Sequence, residues 1–315
     1  VAYLKKGENL SNINSNYRKE EKFYFFFHIR SLFLLMKPRV MSLVIFTCLV
    51  GMVIAPGNID LYGNFASLVI VAVGAGASGM LNMWYDSDID AIMSRTCLRP
   101  IPSGQLKRQE ALFYGIILSV FSILSLYYFA NFLSASLLAF TIFFYVFIYT
   151  IWLKRKTPQN IVIGGAAGAF PPVIGWAISA NTISIEPLIL FLIIFFWTPS
   201  HFWALSLYKN EDYKKANIPM LSVVSGEEVT KKNILFYSII LWPFTLAPYF
   251  LNFASYSNLA FVTLFGFFYI FLSFKLLITK EKSASHKIAR NIFVYSIFYL
   301  FFIFSTILID NYFFL

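Results

Sequence analysis

The sequence predicts an all-α polytopic membrane protein that crosses the bilayer nine times. Of its 315 residues, 59% are hydrophobic and 13% are charged, and the mean hydropathy is +0.70. Soluble domains carry about 25% charged residues. The apolar runs are continuous rather than alternating, which excludes a β-barrel, and runs of about 17–25 residues can cross a hydrocarbon core of roughly 30 Å. They lie near 40–57, 65–85, 111–130, 133–152, 161–180, 187–207, 235–252, 258–278 and 291–309.

The distribution of basic residues supports this topology. Eight of the 25 lysines and arginines precede the first span, and clusters of three to five follow the second, fourth, sixth and eighth spans. The connections on the other side contain none. Because short cytoplasmic loops accumulate Lys and Arg, the N-terminus is predicted to be cytoplasmic and the C-terminus outside. The net charge of +10 therefore reflects topology and attraction to anionic lipid, and does not indicate a nucleic-acid partner.

Two regions are predicted: a cytoplasmic N-terminal tail, 1–36, and a nine-helix transmembrane domain, 37–315. The tail lacks the apolar segment and cleavage site of a signal peptide. Cys48 and Cys97 fall in a span and in a cytoplasmic loop, so neither a disulfide nor a metal-type pair is expected. The initial Val and the Phe-, Ile-, Lys- and Asn-rich composition favour a bacterial source, and hence the inner membrane.

Small residues and prolines mark positions where the spans pack or bend. The stretch Gly74 to Gly79 resembles a dinucleotide-binding fingerprint, but it lies inside a span with no strand before it, so close helix packing is the better interpretation. Pro171-Pro172 is predicted to kink the fifth span, because proline removes a backbone donor and clashes with the preceding turn. The two long charged loops, 86–110 and 208–234, are expected to hold the function.

The main candidate site is the triplet Asn82, Asp86 and Asp90 at the end of the second span. A spacing of four places their side chains on one helix face, whereas Asp88 lies off that face. Mg²⁺ usually takes one or two carboxylates and completes its shell with water and phosphate oxygens. The triplet therefore indicates a magnesium–diphosphate site. The alternative is a solvated helix end, although ionisable groups at membrane depth are costly enough to suggest a function.

The motifs resemble those of the UbiA-type intramembrane prenyltransferases, and more narrowly those of the haem-farnesylating members. The first motif is Asn82-x3-Asp86-x3-Asp90, followed by Met93, Arg95-Thr96 and Arg99-Pro100. Together the matches cover roughly 37–234. The others are Lys37-Pro38-Arg39, Lys154-Arg155, Thr157-Pro158, Asn160, Gly164-Gly165, Pro171-Pro172, Trp197 to Trp203, Asp212-Tyr213 and Pro219 to Leu221.

The resemblance implies nine helices around a central cavity and Mg²⁺-dependent transfer of a farnesyl group. The donor would be farnesyl diphosphate, the acceptor a vinyl group of haem B (protohaem IX), and the products haem O and diphosphate. Haem A synthase and terminal-oxidase assembly factors are the candidate protein partners. The implied metal ligands are Asn82, Asp86, Asp90 and Asp212, and the implied catalytic residues are Asp86, Asp90 and His201. The implied diphosphate contacts are Arg39, Arg95, Arg99, Lys154, Arg155 and Lys209, which could neutralise phosphate oxygens.

Two features leave alternatives open. Many members of this family carry a second Asp-x3-Asp motif, but here Asp212 is followed four residues later by Ala216, which leaves the number of metal ions uncertain. A relative acting on a quinone precursor would be expected to have the fuller motif. A transporter, the alternative of another class, would be expected to have charges in the middle of several spans, which are nearly absent here.

His201 is the only histidine predicted within a span, where it lies among Trp197, Phe202 and Trp203. It could be a packed, hydrogen-bonded residue, a haem contact or a proton-transfer group.

Overall fold

Helices, most of them long, make up most of the described structure. The computed structural model describes residues 28–57 and 61–313, and no strand occurs in these ranges. The predicted tail therefore lies outside the described residues over 1–27. The helices are α1 His28–Leu35, α2 Pro38–Ile54, α3 Leu61–Tyr85, α4 Ser87–Ile92, α5 Arg108–Phe129, α6 Phe132–Phe143, α7 Asn160–Ala169, α8 Pro171–Ala180, α9 Ile185–Tyr208, α10 Asn210–Lys215, α11 Leu221–Val224, α12 Gly226–Phe250, α13 Tyr256–Ile278 and α14 Lys282–Phe313, and a π-helical segment, Phe144–Leu153, continues α6.

Membrane spans occur where the hydropathy predicts them. Within the described residues, eight helical stretches are long and apolar enough to cross a bilayer, and the pair α1 and α2, bent by 53°, provides a ninth. Apolar side chains such as Leu264 and Phe132 are 68% and 74% exposed on these helices, as expected for surfaces that face lipid. The protein is an integral membrane protein. Helices α12 and α14 begin nine residues before the predicted spans, because hydropathy detects only the apolar part of a helix.

Helices α2 and α8 approach each other closely through glycine. A Cβ atom on Gly51 would lie 2.1 Å from the carbonyl oxygen of Pro172, and one on Gly175 would lie 1.9 Å from that of Cys48. Only glycine fits at these positions, so the two helices pack through small residues. Where Pro171-Pro172 was predicted to kink the fifth span, the helix is broken, since α7 ends at Ala169 and α8 begins at Pro171.

One end of the bundle gathers the charged connections and is called the motif face here. It contains the C-terminal end of α3, the segment that follows it, and the connections around 154–159, 209–225 and 279–281. Long-range contacts hold this face together. Arg108 Nε donates to the carbonyl of Trp84 at 3.0 Å, and the buried Lys231 donates to the carbonyl of Thr279 at 2.9 Å.

Candidate active site

The triplet predicted from spacing lies on two successive helical turns, and the hydrogen bonds along it continue across the break between two helices. Helix α3 ends at Tyr85 and α4 begins at Ser87. The backbone amides of Asp86 and Asp90 nevertheless donate to the carbonyls four residues earlier, at 2.9 and 2.8 Å. Asn82, Asp86 and Asp90 are 3%, 0% and 2% exposed. The solvated interpretation is therefore wrong for these side chains, whereas the side chain of Asp88, off the face as predicted, is 62% exposed.

Every member of the triplet has a cationic partner. Because buried charges are costly unless they are paired, burial requires such partners. The amide of Asn82 also donates to Asp86 Oδ2 at 2.8 Å and to Thr150 Oγ1 at 3.0 Å, which joins the pairs into one network. The cationic partners are Lys37 on Asn82 Oδ1, Lys154 on Asp86 Oδ2, and Arg99 on Asp90 Oδ2 at 2.7 Å.

Arg155 connects the exposed and the buried carboxylates. Its guanidinium donates to both oxygens of Asp88 at 2.8 Å, lies 4.7 Å from the ring centre of Tyr85, and reaches within 3.7 Å of Asp86 Oδ1. The hydrogen bonds from Arg155 lower the pKa of Asp88, so this pair stays charged at neutral pH. Three of the six predicted diphosphate contacts, Arg99, Lys154 and Arg155, therefore lie directly on the motif.

The π-helical segment shapes the wall opposite the motif. In a π-helix, the backbone hydrogen bonds join residues that are five apart. Accordingly, Thr150 Oγ1 donates to the carbonyl of Tyr145 at 2.8 Å, and the amide of Lys154 donates to that of Tyr149 at 2.9 Å. The rings of Tyr145 and Tyr149 stack at 5.5 Å. Sequence reasoning missed Thr150, because an aromatic and β-branched run gives no signal for the change in helical register.

The second predicted acidic position is tied to the first motif by a neighbouring loop. Ser94 donates to both oxygens of Asp212 at 3.0 and 2.8 Å, and Thr96 Oγ1 donates to the carbonyl of Asp90 at 3.1 Å. A cavity of about 170 Å³ lies beside Asp212 and is lined by Ser94, Tyr208, Lys209, Asn210, Glu211, Glu227, Lys282 and His286.

The other three predicted diphosphate contacts do not form ion pairs with the motif. Among residues 28–57 and 61–313, no carboxylate lies within ion-pair distance of Arg39, Arg95 or Lys209. Nor do three His, Cys, Asp or Glu side chains of these ranges form one metal-binding group. Asp212 therefore does not share a ligand cluster with Asp86 and Asp90.

The donor chemistry of the triplet nevertheless suits a hard divalent cation. Asn82 and Asp86 offer oxygen atoms from adjacent turns, and Asp86 Oδ1 is buried with no hydrogen-bond partner among the described residues. A buried carboxylate oxygen without a partner is costly, so a ligand at this atom would be stabilising. Two carboxylates and one amide suffice for Mg²⁺, which completes its shell with water and phosphate.

His201 is part of α9, and its side chain packs against α14. Its ring is 6% exposed and stacks on Trp197 at 4.2 Å and on Phe293 at 4.5 Å. Ser296 Oγ donates to the carbonyl of Phe293 at 2.7 Å and lies 2.6 Å from His201 Nδ1. The ring of His201 and the hydroxyl of Ser296 therefore share a hydrogen bond. The contacts position α14, and the catalytic role of His201 stays a prediction.

Known proteins with similar sequences belong to the family that the motifs resemble. The model of the UbiA prenyltransferase family matches residues 44–302. A Pelagibacter ubique protein named protoheme IX farnesyltransferase is 57% identical over 285 residues, 90% of this chain and 94% of that protein. A protein of the same name from Parvibaculum lavamentivorans is 56% identical over 282 residues, 90% of this chain and 89% of that protein.

Solved structures share the architecture. A digeranylgeranylglyceryl phosphate synthase superposes with a TM-score of 0.73 at 17% identity, covering 89% of this chain and 99% of that one. A UbiA homolog from Archaeoglobus fulgidus bound to DMAPP and Mg²⁺ gives a TM-score of 0.63 at 18% identity, covering 88% and 99%.

The fold and the buried, ion-paired carboxylates at its motif face define an intramembrane transferase of prenyl groups. The chain belongs to the UbiA prenyltransferase family. This membership sets the transporter alternative aside.

Proposed function

We propose that this protein transfers the farnesyl group of farnesyl diphosphate to a vinyl group of haem B, with Mg²⁺ bound at the first motif. One observation carries the proposal: a motif of three buried oxygen-bearing side chains, each with its own cation, in a chain 57% identical to a protein named protoheme IX farnesyltransferase. No comparable observation favours a quinone precursor, and the second motif remains incomplete because the side chain of Ala216 has no oxygen atom to bind a cation.

The residues of the motif would stabilise the leaving diphosphate. Bound Mg²⁺ would act as a Lewis acid on the diphosphate oxygens. Asn82, Asp86 and Asp90 would hold the ion, and Asp212 would bind a second ion from the second segment. Arg99, Lys154 and Arg155 would neutralise the negative charge that develops on the diphosphate oxygens as the carbon–oxygen bond breaks. Their positive charges act most strongly where water is excluded. Arg39, Arg95 and Lys209 would supply further positive charge.

The bond changes balance without an oxidant or a reductant. The electrons of the breaking bond leave with diphosphate, and the vinyl π electrons attack the allylic carbon to form the new carbon–carbon bond. Water then adds to the resulting cation and loses a proton, which gives the hydroxyethylfarnesyl substituent. The half-buried rings of Tyr145 and Tyr149 lie beside the motif and present π faces that favour a cation.

The membrane setting follows from charge. The motif face carries the basic connections, so we propose that it faces the cytoplasm of a bacterium, with the N-terminus inside and the C-terminus outside the inner membrane. Farnesyl chains and haem are apolar, and both would enter from the bilayer. Haem O would leave by the same route toward haem A synthase or oxidase assembly factors.

An acceptor competition tests the proposal. Membranes containing the full chain are incubated with farnesyl diphosphate, Mg²⁺ and equal amounts of haem B and 4-hydroxybenzoate, and products are identified by mass spectrometry. The expected product is the hydroxyethylfarnesyl haem alone, and its formation stops when EDTA removes the metal. Membranes without the protein are the control. A prenylated benzoate as the sole product would overturn the choice of acceptor.

A further inference from the structure

Lys37 occupies a strained position at the bend between α1 and α2. Its backbone has φ 55° and ψ 55°, in the left-handed region, where a residue with a long side chain is uncommon. The bend of 53° is centred on this residue and on Met36, and Pro38 begins α2 immediately afterwards. Strain of this kind persists where the surrounding structure requires it, often at functional sites.

The strained backbone delivers the ammonium group to the first motif. Lys37 Nζ donates to Asn82 Oδ1 and lies 3.4 Å from the hydroxyl of Tyr145, and 5.9 Å from the centre of that ring. A residue 45 positions earlier in the chain thus binds the first of the three motif side chains. Sequence reasoning treated Lys37 only as part of a matching tripeptide.

Lys37 differs from the other cations of the network in its partner. Lys154, Arg155 and Arg99 each contact a carboxylate, whereas Lys37 is bonded to a neutral amide and to a phenol. Of the four cations in the network, Lys37 is the one that has no carboxylate within ion-pair distance among the described residues. Lys37 therefore has no ion pair to break before it binds an anion.

We infer that Lys37 is a diphosphate-binding residue whose ammonium competes with the metal ion for Asn82 Oδ1. A metal ion and an ammonium group on the same oxygen would lie only a few ångströms apart and repel each other in a site with little water, so a metal ion at Asn82 displaces Lys37. The displaced ammonium then binds a diphosphate oxygen. This inference rests on the proposed function. Its consequence is that Mg²⁺ and diphosphate bind cooperatively, because each removes an obstacle to the other.

Titration calorimetry of the full chain in nanodiscs tests this mechanism, with Mg²⁺ alone, inorganic pyrophosphate alone, and both. In the wild type, pyrophosphate should tighten Mg²⁺ binding by about 10-fold or more, within the usual range of coupling between sites. Lys37→Met removes the competitor, so Mg²⁺ alone should bind about 3-fold tighter, while the tightening by pyrophosphate falls to about 2-fold or less. Lys37→Arg should retain most of the tightening.

Controls separate this inference from a structural role. Lys37→Gly also removes the ammonium and fits the left-handed backbone without strain, so it should fold and reproduce the Met result. Lys156→Met, at an exposed basic residue of the motif face, should behave as the wild type. The inference is overturned, and the proposed function is not, if Mg²⁺ binds no more tightly to Lys37→Met and Lys37→Gly than to the wild type. The same holds if pyrophosphate tightens Mg²⁺ binding in these variants as much as in the wild type. A wild-type protein that binds neither Mg²⁺ nor pyrophosphate overturns the proposed function, and this inference with it.

Discussion

The two acidic segments of the motif face differ in burial and in how their charges are balanced. Asp86 and Asp90 are 0% and 2% exposed, and each is paired with a cation. Asp212 is half-buried and is bonded to the hydroxyl of Ser94, and Glu211 beside it is exposed. The first segment thus has fixed geometry, whereas the second can be hydrated.

This difference indicates which segment contributes more binding free energy to a metal ion or a diphosphate. A buried carboxylate held by neighbouring groups needs little reorganisation when it binds an ion, and its charge acts strongly because little water screens it. A partly solvated carboxylate loses water on binding and gains less. We therefore expect the first segment to carry most of the metal and diphosphate affinity, and the second to adjust it through Ser94.

The largest expected effect is that of Asp86→Asn. The variant keeps the shape of the side chain but removes the charge at the centre of the network, so product formation should fall by about 100-fold or more. Asp88→Asn is the matched control, since Asp88 lies two residues away and its side chain is 62% exposed. Its rate should stay within about 3-fold of the wild type, because exposed ion pairs contribute little.

Turnover should be measured in membranes with equal amounts of folded protein, judged by a single symmetrical peak on size exclusion in detergent. Equal losses in the Asp86 and Asp88 variants would show that charge near the motif matters only in general, and the comparison between buried and exposed acids would fail.

Removal of Lys154 should affect stability more than any other change to a cation of the network. Lys154→Met leaves the buried carboxylate of Asp86 with Arg155 at 3.7 Å as its nearest cation. Breaking a buried pair on one side costs about 3 kcal/mol or more. The midpoint of thermal unfolding in detergent should fall clearly, whereas Lys156→Met, two residues further along the chain and exposed, should not change it. An unchanged midpoint for Lys154→Met would mean that the pair contributes nothing to the stability of the motif face.

The sequence allowed the helices and the triplet to be predicted because both depend on local periodicity. A continuous apolar run must be helical in lipid, since its backbone groups have no other partners, and a spacing of four survives the interruption at Asp86. The contacts that complete the site are of another kind. Lys37, Thr150 and Ser94 reach the motif through a strained bend, a π-helical register and a loop contact.

Hydropathy and spacing do not encode such long-range contacts. For the same reason, the sequence showed the aromatic neighbours of His201 but not its hydrogen-bond partner. Its partner Ser296 lies 95 residues away on α14, beyond the segment that carries the family motifs.

The smallest expected effect concerns the contact between the two segments. Ser94→Ala removes the donor to Asp212 and should lower product formation about 3-fold, and Asp212→Asn about 5- to 10-fold, because the second segment is partly solvated. If Ser94 acts only by orienting Asp212, the double variant should be no slower than Asp212→Asn alone, which is the signature of coupled residues. Glu211→Gln, an exposed neighbour, is the control and should be silent. Multiplied effects in the double variant would mean that Ser94 contacts the substrate by itself, and that the two segments work independently.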